Sequence, residues 1–364
     1  MAMDRSKWEY KKLGEVCTMY QPKTISTQEL VDDGDYLVYG ANGVIGRYDK
    51  YNHEQSEILM TCRGATCGTI NISEPFSWIN GNAMVIHPAN NDFVRDFLVY
   101  QLKAVDKSSV ITGAAQPQIT RQMLQTLPVV KAPISDQQRI VAELDCLNEM
   151  IAVKQEQLKE FDKLAQSIFY DMFGDEGGFE KVKLGDVVDV VSGLVDPNVE
   201  PYCSQLHVSP ANIVSGTNEI VNCVQAKDEG LISDKYPFKA GMVLYSKIRP
   251  NLNKVAVANF DGICSADMYP LNVLPKANNI YIAKLLSSQH FLEYAIKNSG
   301  RARMPKLNRE TLFSYSFKLP PLTLQQQFAD KISAIEAQKE LVKQSIAETQ
   351  KLLDYTMDKY FGYD

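Results

Sequence analysis

Apolar residues recur along the middle of the chain with a 4-3 alternation. Ile140, Leu144, Leu147, Ile151, Lys154, Leu158, Phe161, Ala165, Ile168 and Met172 occupy successive positions of this pattern, which only Lys154 breaks. It is the seam of a coiled coil. The same positions 188 residues later hold Phe328, Ile332, Ile335, Lys339, Val342, Ile346, Thr349, Leu353, Thr356 and Tyr360. Pro133 and Pro321 stand just ahead of the two segments, where proline is compatible with helix initiation, and no proline follows within either. Two helices of about 37 residues, roughly 55 Å long, are predicted. Each would leave an apolar stripe in water, so each needs a partner. The other copy is the obvious one; packing on its own domain, or dimerisation between chains, remains open.

Outside these segments the pattern is that of short strands followed by helices. "YLVYG", "EILMTC", "GTINI" and "AMVIHP" precede the helical "FVRDFLVYQLKAV", and "GMVLYS", "KVAVANF" and "MYPLNVLP" precede "IYIAKLLSSQHFLEYAI". This order predicts an α+β domain in each half. The expected organisation is a domain over 1–131, a helix over 132–176, a second domain over 177–319 and a second helix over 320–364. The 188-residue offset also pairs Pro117 with Pro305, Arg121 with Arg309, Leu124 with Leu312, Gln137 and Gln138 with Gln325 and Gln326, and "FG" at 173–174 with "FG" at 361–362. The domain starts correspond at an offset of 171, as "WEYKKLGEV" and "FEKVKLGDV". Each half is thus a variable domain followed by a repeated helix.

Charge sharpens this picture. The chain of 364 residues carries a net −6, but residues 136–176 hold −6 and 322–364 hold −2, leaving +2 for the rest. Acid is segregated to the repeated segments, so whole-chain charge is a poor guide to partners. Seven scattered cysteines form no Cys-x-x-Cys pair, and the four histidines stand in no metal-ligand spacing, which points to reduced, structural thiols. No apolar run has the length of a membrane span, and a cytoplasmic protein is expected.

Catalytic signatures are absent: there is no Walker glycine loop, His-Glu-x-x-His, Gly-x-Ser-x-Gly or Asn-Pro-Pro-aromatic motif. The glycines of "YGANGVIGRYD" have the wrong spacing for a dinucleotide fingerprint and read as a turn between strands. A binding protein is favoured, and several stretches suit nucleic acid. "RARMPKLNR" presents Arg301, Arg303 and Lys306 with no acid among them, and "SKIRPNLNK" combines Lys247, Arg249, Asn251, Asn253 and Lys254. Lysine and arginine can neutralise phosphates, and arginine and asparagine can read guanine and adenine. The first half offers Arg63 and Thr66 in "TCRGATCGT", Asn80 and Asn82 in "NGNAM", Gln116 and Gln118 in "AAQPQIT", and Arg47. Singly, each of these residues is better read as a solvated loop charge or turn residue; their recurrence at corresponding places favours contact with DNA. A non-DNA coiled-coil scaffold and an enzyme with an unrecognised site are the competing readings.

In "LGEV" and "LGDV", "GAAQPQIT" and "GRARMPKLN", the Pro-x-x-x-Gln-Gln helix entries and the "FG" endings, the whole chain resembles the specificity subunits of type I restriction–modification systems. The resemblance implies two target-recognition domains in tandem, separated by two long helices packed as an antiparallel coiled coil. It implies packing of Ile140, Leu144, Leu147, Ile151, Leu158, Phe161 and Ile168 with Phe328, Ile332, Ile335, Val342, Ile346 and Leu353. Each domain would read one part of a split double-stranded DNA target, and the helices would dock two methyltransferase subunits, with room for motor-nuclease subunits. This chain would carry no cofactor; S-adenosylmethionine would belong to the methyltransferase partner. Met304 and Lys306 stand where the first half has Gln116 and Gln118, so those positions suit two different targets rather than one shared contact.

Overall fold

Both periodic segments form single helices, Ile134–Phe173 and Leu322–Phe361. The computed structural model describes residues 5–113, 115–174, 178–300 and 304–362. Each helix has 40 residues, roughly 60 Å at 1.5 Å per residue. The chain divides into two compact units, Met1–Lys154 with Ser345–Asp364, and Gln155–Gln344. Each unit therefore joins one α+β domain to half of each helix.

Within each unit the two half-helices run antiparallel. In the first unit the Tyr360 hydroxyl donates to Glu143 at 2.7 Å, and Lys154 Nζ donates to Ser345 Oγ at 2.7 Å and Thr349 Oγ1 at 3.0 Å. In the second, Lys339 Nζ donates to Asp162 at 2.8 Å and the rings of Phe169 and Phe328 meet edge to face. Ile140, Leu144, Leu147 and Ile151 are buried with Leu353 and Tyr360, and Ala165 and Phe169 with Phe328, Ile332 and Ile335. Each buried leucine, isoleucine or phenylalanine among them contributes about 1.5–3 kcal/mol by leaving water. Leu158, Phe161, Ile168, Val342 and Ile346 are only half-buried.

The recurring glutamine and the "FG" endings now have physical reasons. Gln137 is fully buried; its amide donates to Asp92 O and Ala132 O at 2.8 Å and accepts from Val94 N at 2.7 Å. Gln325 repeats the arrangement, accepting from Asn278 N at 2.8 Å and donating to Pro320 O at 2.8 Å. One side chain thus pins the helix start both to the strand before it and to the domain. At the other end, a Cβ on Gly174 would collide with Tyr170 O, and one on Gly362 with Asp358 O, so only glycine fits. The preceding Phe173 packs on Tyr281 and Phe328, and Phe361 on Phe97.

The domains share a sheet order. In the first, Cys17–Tyr20, Ala83–Pro88, Ile58–Thr61 and Ile70–Ile72 form a four-stranded antiparallel sheet; in the second, Val188–Val190, Met268–Val273, Val243–Ser246 and Val255–Val257 do the same. A parallel pair also recurs, Tyr36–Gly40 with Trp78–Ile79 and Leu206–Val208 with Gly262–Cys264. The glycine-bearing "YGANGVIGRYD" is the hairpin between Tyr36–Gly40 and Gly43–Tyr48, as expected. A two-stranded ribbon closes each domain, Glu9–Lys12 on Pro128–Lys131 and Glu180–Lys183 on Ser316–Leu319. One expectation is corrected: the stretch 280–296 is two helices, Asn279–Leu286 and Gln289–Asn298. They part at Ser287 and Ser288 because Ser288 Oγ accepts from Phe291 N and caps the second helix.

Cys17, Cys62 and Cys264 are buried, and burial pushes their thiols up to about 12, about 11 and about 12. Among the described residues no His, Cys, Asp or Glu cluster could hold a metal ion, and no helix is long and apolar enough to cross a membrane.

Candidate nucleic-acid interface

In each domain, the strand leaving the centre of the four-stranded sheet runs on into a short edge that pairs with the segment ahead of the long helix. In the first unit Arg63 bridges Gln118, Gly64 N donates to Pro117 O at 3.0 Å and Ile119 N donates to Cys62 O at 2.9 Å. In the second, Ile248 bridges Lys306, Arg249 N donates to Pro305 O at 2.8 Å and Leu307 N donates to Lys247 O at 2.8 Å. The hydrogen bonds fix the correspondence residue by residue: Cys62, Arg63 and Gly64 match Lys247, Ile248 and Arg249, and Gln118 matches Lys306. The backbone is repeated while the side chains differ.

In the first unit this edge brings Arg63 and Gln118 together, with the exposed Thr66 in the turn that follows and the exposed Gln116 in the opposing segment. Asn82 is exposed elsewhere in the domain. One expected contact, Asn80, is committed to the fold instead. Asn80 is 3% exposed; its Oδ1 accepts from Ile25 N and Trp78 Nε1, and its Nδ2 donates to Ile25 O. Arg47 is exposed, and its Nε and Nη2 donate to the carbonyls of Gly34 and Asp35.

The second unit's edge is more basic. Lys247 lies over the Tyr269 ring at 5.1 Å, and burial, then the neighbouring Lys306 charge, lowers its pKa below the usual lysine value. Lys306 is exposed, 4.0 Å from Asp267. Arg249 and Asn251 are exposed. Arg249 and Asn253 both adopt left-handed backbone, φ 48° and 45°, around the turn Pro250–Leu252. Such conformations in non-glycine residues cost about 1–3 kcal/mol and concentrate at functional sites. Two further candidates brace this loop rather than face outward: Asn253 Nδ2 donates to Ser287 O, and Lys254 Nζ donates to Pro210 O. Arg301 and Arg303 lie outside the described residues.

Sequence reasoning missed a second polar centre. Lys339, on the apolar seam, is 1% exposed and surrounded by Asp162, Glu336 and Glu219, and Glu219 also meets Lys343 at 2.9 Å. The lysine among apolar seam positions was the available signal. Glu219 could not have been paired with it from the sequence.

The sequence profile of the "Type I restriction modification DNA specificity domain" family matches residues 5–161 and again 176–351. The chain belongs to that family. Its two specificity domains correspond to the two α+β domains described above. A curated Escherichia coli relative, the type I restriction enzyme EcoDI specificity subunit, is 30% identical over 165 residues. That match covers 45% of this chain and 36% of the relative, so the chain spans about a third of the relative's length. The crystal structure of the S subunit of a type I restriction-modification system from M. genitalium superimposes with a TM-score of 0.61 at 13% identity, covering 100% of this chain and 99% of the other. A structure from a study of assembly and conformational transition of the type I system gives a TM-score of 0.58 at 19% identity, covering 98% of each chain. At such identities these similarities establish the shared fold.

Proposed function

We propose that this chain is the DNA sequence-specificity subunit of a type I restriction–modification complex, with each specificity domain reading one half of a split double-stranded target. The observation that carries the reading is the paired edge at corresponding places in both units, identical in backbone hydrogen bonding and different in side chains. Repeated scaffold with altered readers is what two half-sites of different sequence require. Lysine and arginine would position each domain on phosphates, and a few loop side chains would read base edges.

The long helices would set the distance between half-sites, as protein geometry does in other two-site DNA binders. They also carry equivalent exposed apolar residues, Val153 with Leu341 and Leu164 with Leu352, each between 47% and 62% exposed. One surface written twice suits two copies of one partner, here the methyltransferase subunits. The chain itself would perform no chemistry. The partner would bind S-adenosylmethionine and methylate an adenine drawn out of the duplex, and a motor-nuclease subunit would cleave unmodified DNA.

Selection of bound duplexes from a random pool by the purified chain with its methyltransferase partner, followed by sequencing, tests this reading. Two specified halves separated by a fixed unspecified gap are expected, with binding that weakens steeply as salt rises. No enrichment, or binding indifferent to salt, would favour a scaffold that engages proteins.

A further inference from the structure

We propose that Lys247, Arg249 and Lys306 form a phosphate clamp in the second unit that has no counterpart in the first, so that the two domains share the salt-dependent grip on DNA unequally. This rests on the DNA-specificity reading and adds to it a division of labour. The residue-by-residue correspondence of the paired edges places Cys62, Gly64 and Gln118 where the second unit has these three cations. Arg63 is the cation the first unit's edge retains, where the second has Ile248.

Lys247 and Lys306, on two hydrogen-bonded segments, repel one another, with Asp267 4.0 Å from Lys306 and Arg249 exposed on the same edge. Burial first, and the Lys306 charge second, lower the Lys247 pKa. Among the described residues nearby, Lys254 donates to Pro210 O and Arg309 lies over the Phe313 ring. Arg249 and Lys306 are exposed on this edge, where a polyanionic backbone would relieve the repulsion between Lys247 and Lys306. The geometry is also held in advance. Arg249 keeps a left-handed backbone, φ 48°, at the place where the first unit has Gly64 at φ 88°. A Cβ is disfavoured there, and the loop is braced to hold it: Arg249 N bonds Pro305 O, Asn253 Nδ2 bonds Ser287 O, and Ser287 Oγ bonds Asn218 Oδ1. Lysines lack a flat fork for reading a base edge but serve as point charges on phosphate.

The test is equilibrium binding of the full chain, with its methyltransferase partner, to a duplex carrying the selected target between 50 and 200 mM salt. Each phosphate contact contributes about 0.9 to the slope of log K against log salt. The triple variant K247M/R249G/K306M is expected to lose about 2–3 from that slope, and R249G alone about 0.9. Arg63→Met in the first unit should lose no more than about 0.9. R249G introduces the residue that the first unit carries at this position, which keeps the fold. The selected target sequence should stay the same in every variant. An unchanged slope in the triple variant overturns the clamp. So does a changed base in the target of R249G, which would make Arg249 a base reader. Wild-type binding without target preference or salt dependence would overturn the DNA reading and the clamp with it.

Discussion

Replacing Lys339 by methionine removes a charge from the helix seam while keeping an unbranched apolar side chain in its place. Lys339 Nζ lies 2.8 Å from Asp162, 3.2 Å from Glu336 and 3.3 Å from Glu219, and its side chain is 1% exposed. Burial works against the charge, but the Asp162 hydrogen bond and the three carboxylates outweigh it and hold the lysine pKa above its usual value. Stripping one partner from a fully buried ion pair costs about 3–5 kcal/mol, whereas exposed pairs contribute about 0–1 kcal/mol. Here the carboxylates are 35%, 45% and 24% exposed, beside a cavity of about 530 Å³, and Glu219 keeps Lys343. The expected loss lies between those limits, about 2 kcal/mol. Urea unfolding of K339M, E336Q and the double variant measures it, and the double should recover about 1 kcal/mol. Glu336 is held above the ordinary carboxyl range by burial, with Lys339 as the largest opposing influence. A raised carboxyl stabilises below its unfolded pKa and loses that contribution as pH rises through the folded value. Without Lys339 the carboxyl is raised further, so the K339M deficit should be largest near neutrality and narrow as pH falls towards 5. A variant as stable as wild type would refute the reasoning. It would mean that an apolar residue, such as Ile151 at the equivalent position of the first copy, serves the seam equally well.

Other outcomes follow from the same geometry. Gln137→Ala strands the half-buried Val94 N–H and two carbonyls, so a loss of about 2 kcal/mol is expected; a thermal midpoint within one degree of wild type would remove the joint from the account. Asn80→Ala breaks three internal hydrogen bonds and should cost about 2 kcal/mol without altering the target; unchanged stability with an altered target would return Asn80 to the base readers. His207 is 3% exposed, beside Glu229, with Nε2 unpartnered. Burial, against the opposing pull of Glu229, depresses its pKa below 6.5. The unfolded chain therefore binds the extra proton first, and stability falls as pH drops through 6.5. His207→Gln should flatten that part of the urea-midpoint profile between pH 7.5 and 5, and an equally steep profile in the variant would exclude His207 as its source.

Local pattern makes the helices legible in the sequence. Their period and the prolines ahead of them are written in adjacent residues, and the observed Ile134–Phe173 and Leu322–Phe361 lie two residues inside the start and three inside the end of the expected 132–176 and 320–364. Pairings across long separations were not legible. The ribbon strands Glu9–Lys12 and Glu180–Lys183 are short and charged and take shape only against partners more than a hundred residues away. Gln137 was visible as a repeated letter, but its bonds to Asp92 and Val94 were not. Composition alone could not separate Asn80, consumed by the fold, from the exposed Asn82, because tertiary burial decides it. The correspondence of "TCRGATCGT" with "SKIRPNLNK" was legible from their position after a strand; their register came from the hydrogen bonds.

The central claim is that one chain reads two half-sites and directs a partner to methylate both. Methylation-sensitive long-read sequencing of a host expressing this chain with its methyltransferase subunit tests that claim most directly. The account predicts a split motif with modified adenine in both halves that disappears when this chain is omitted. A continuous motif, or modification that persists without the chain, would contradict it.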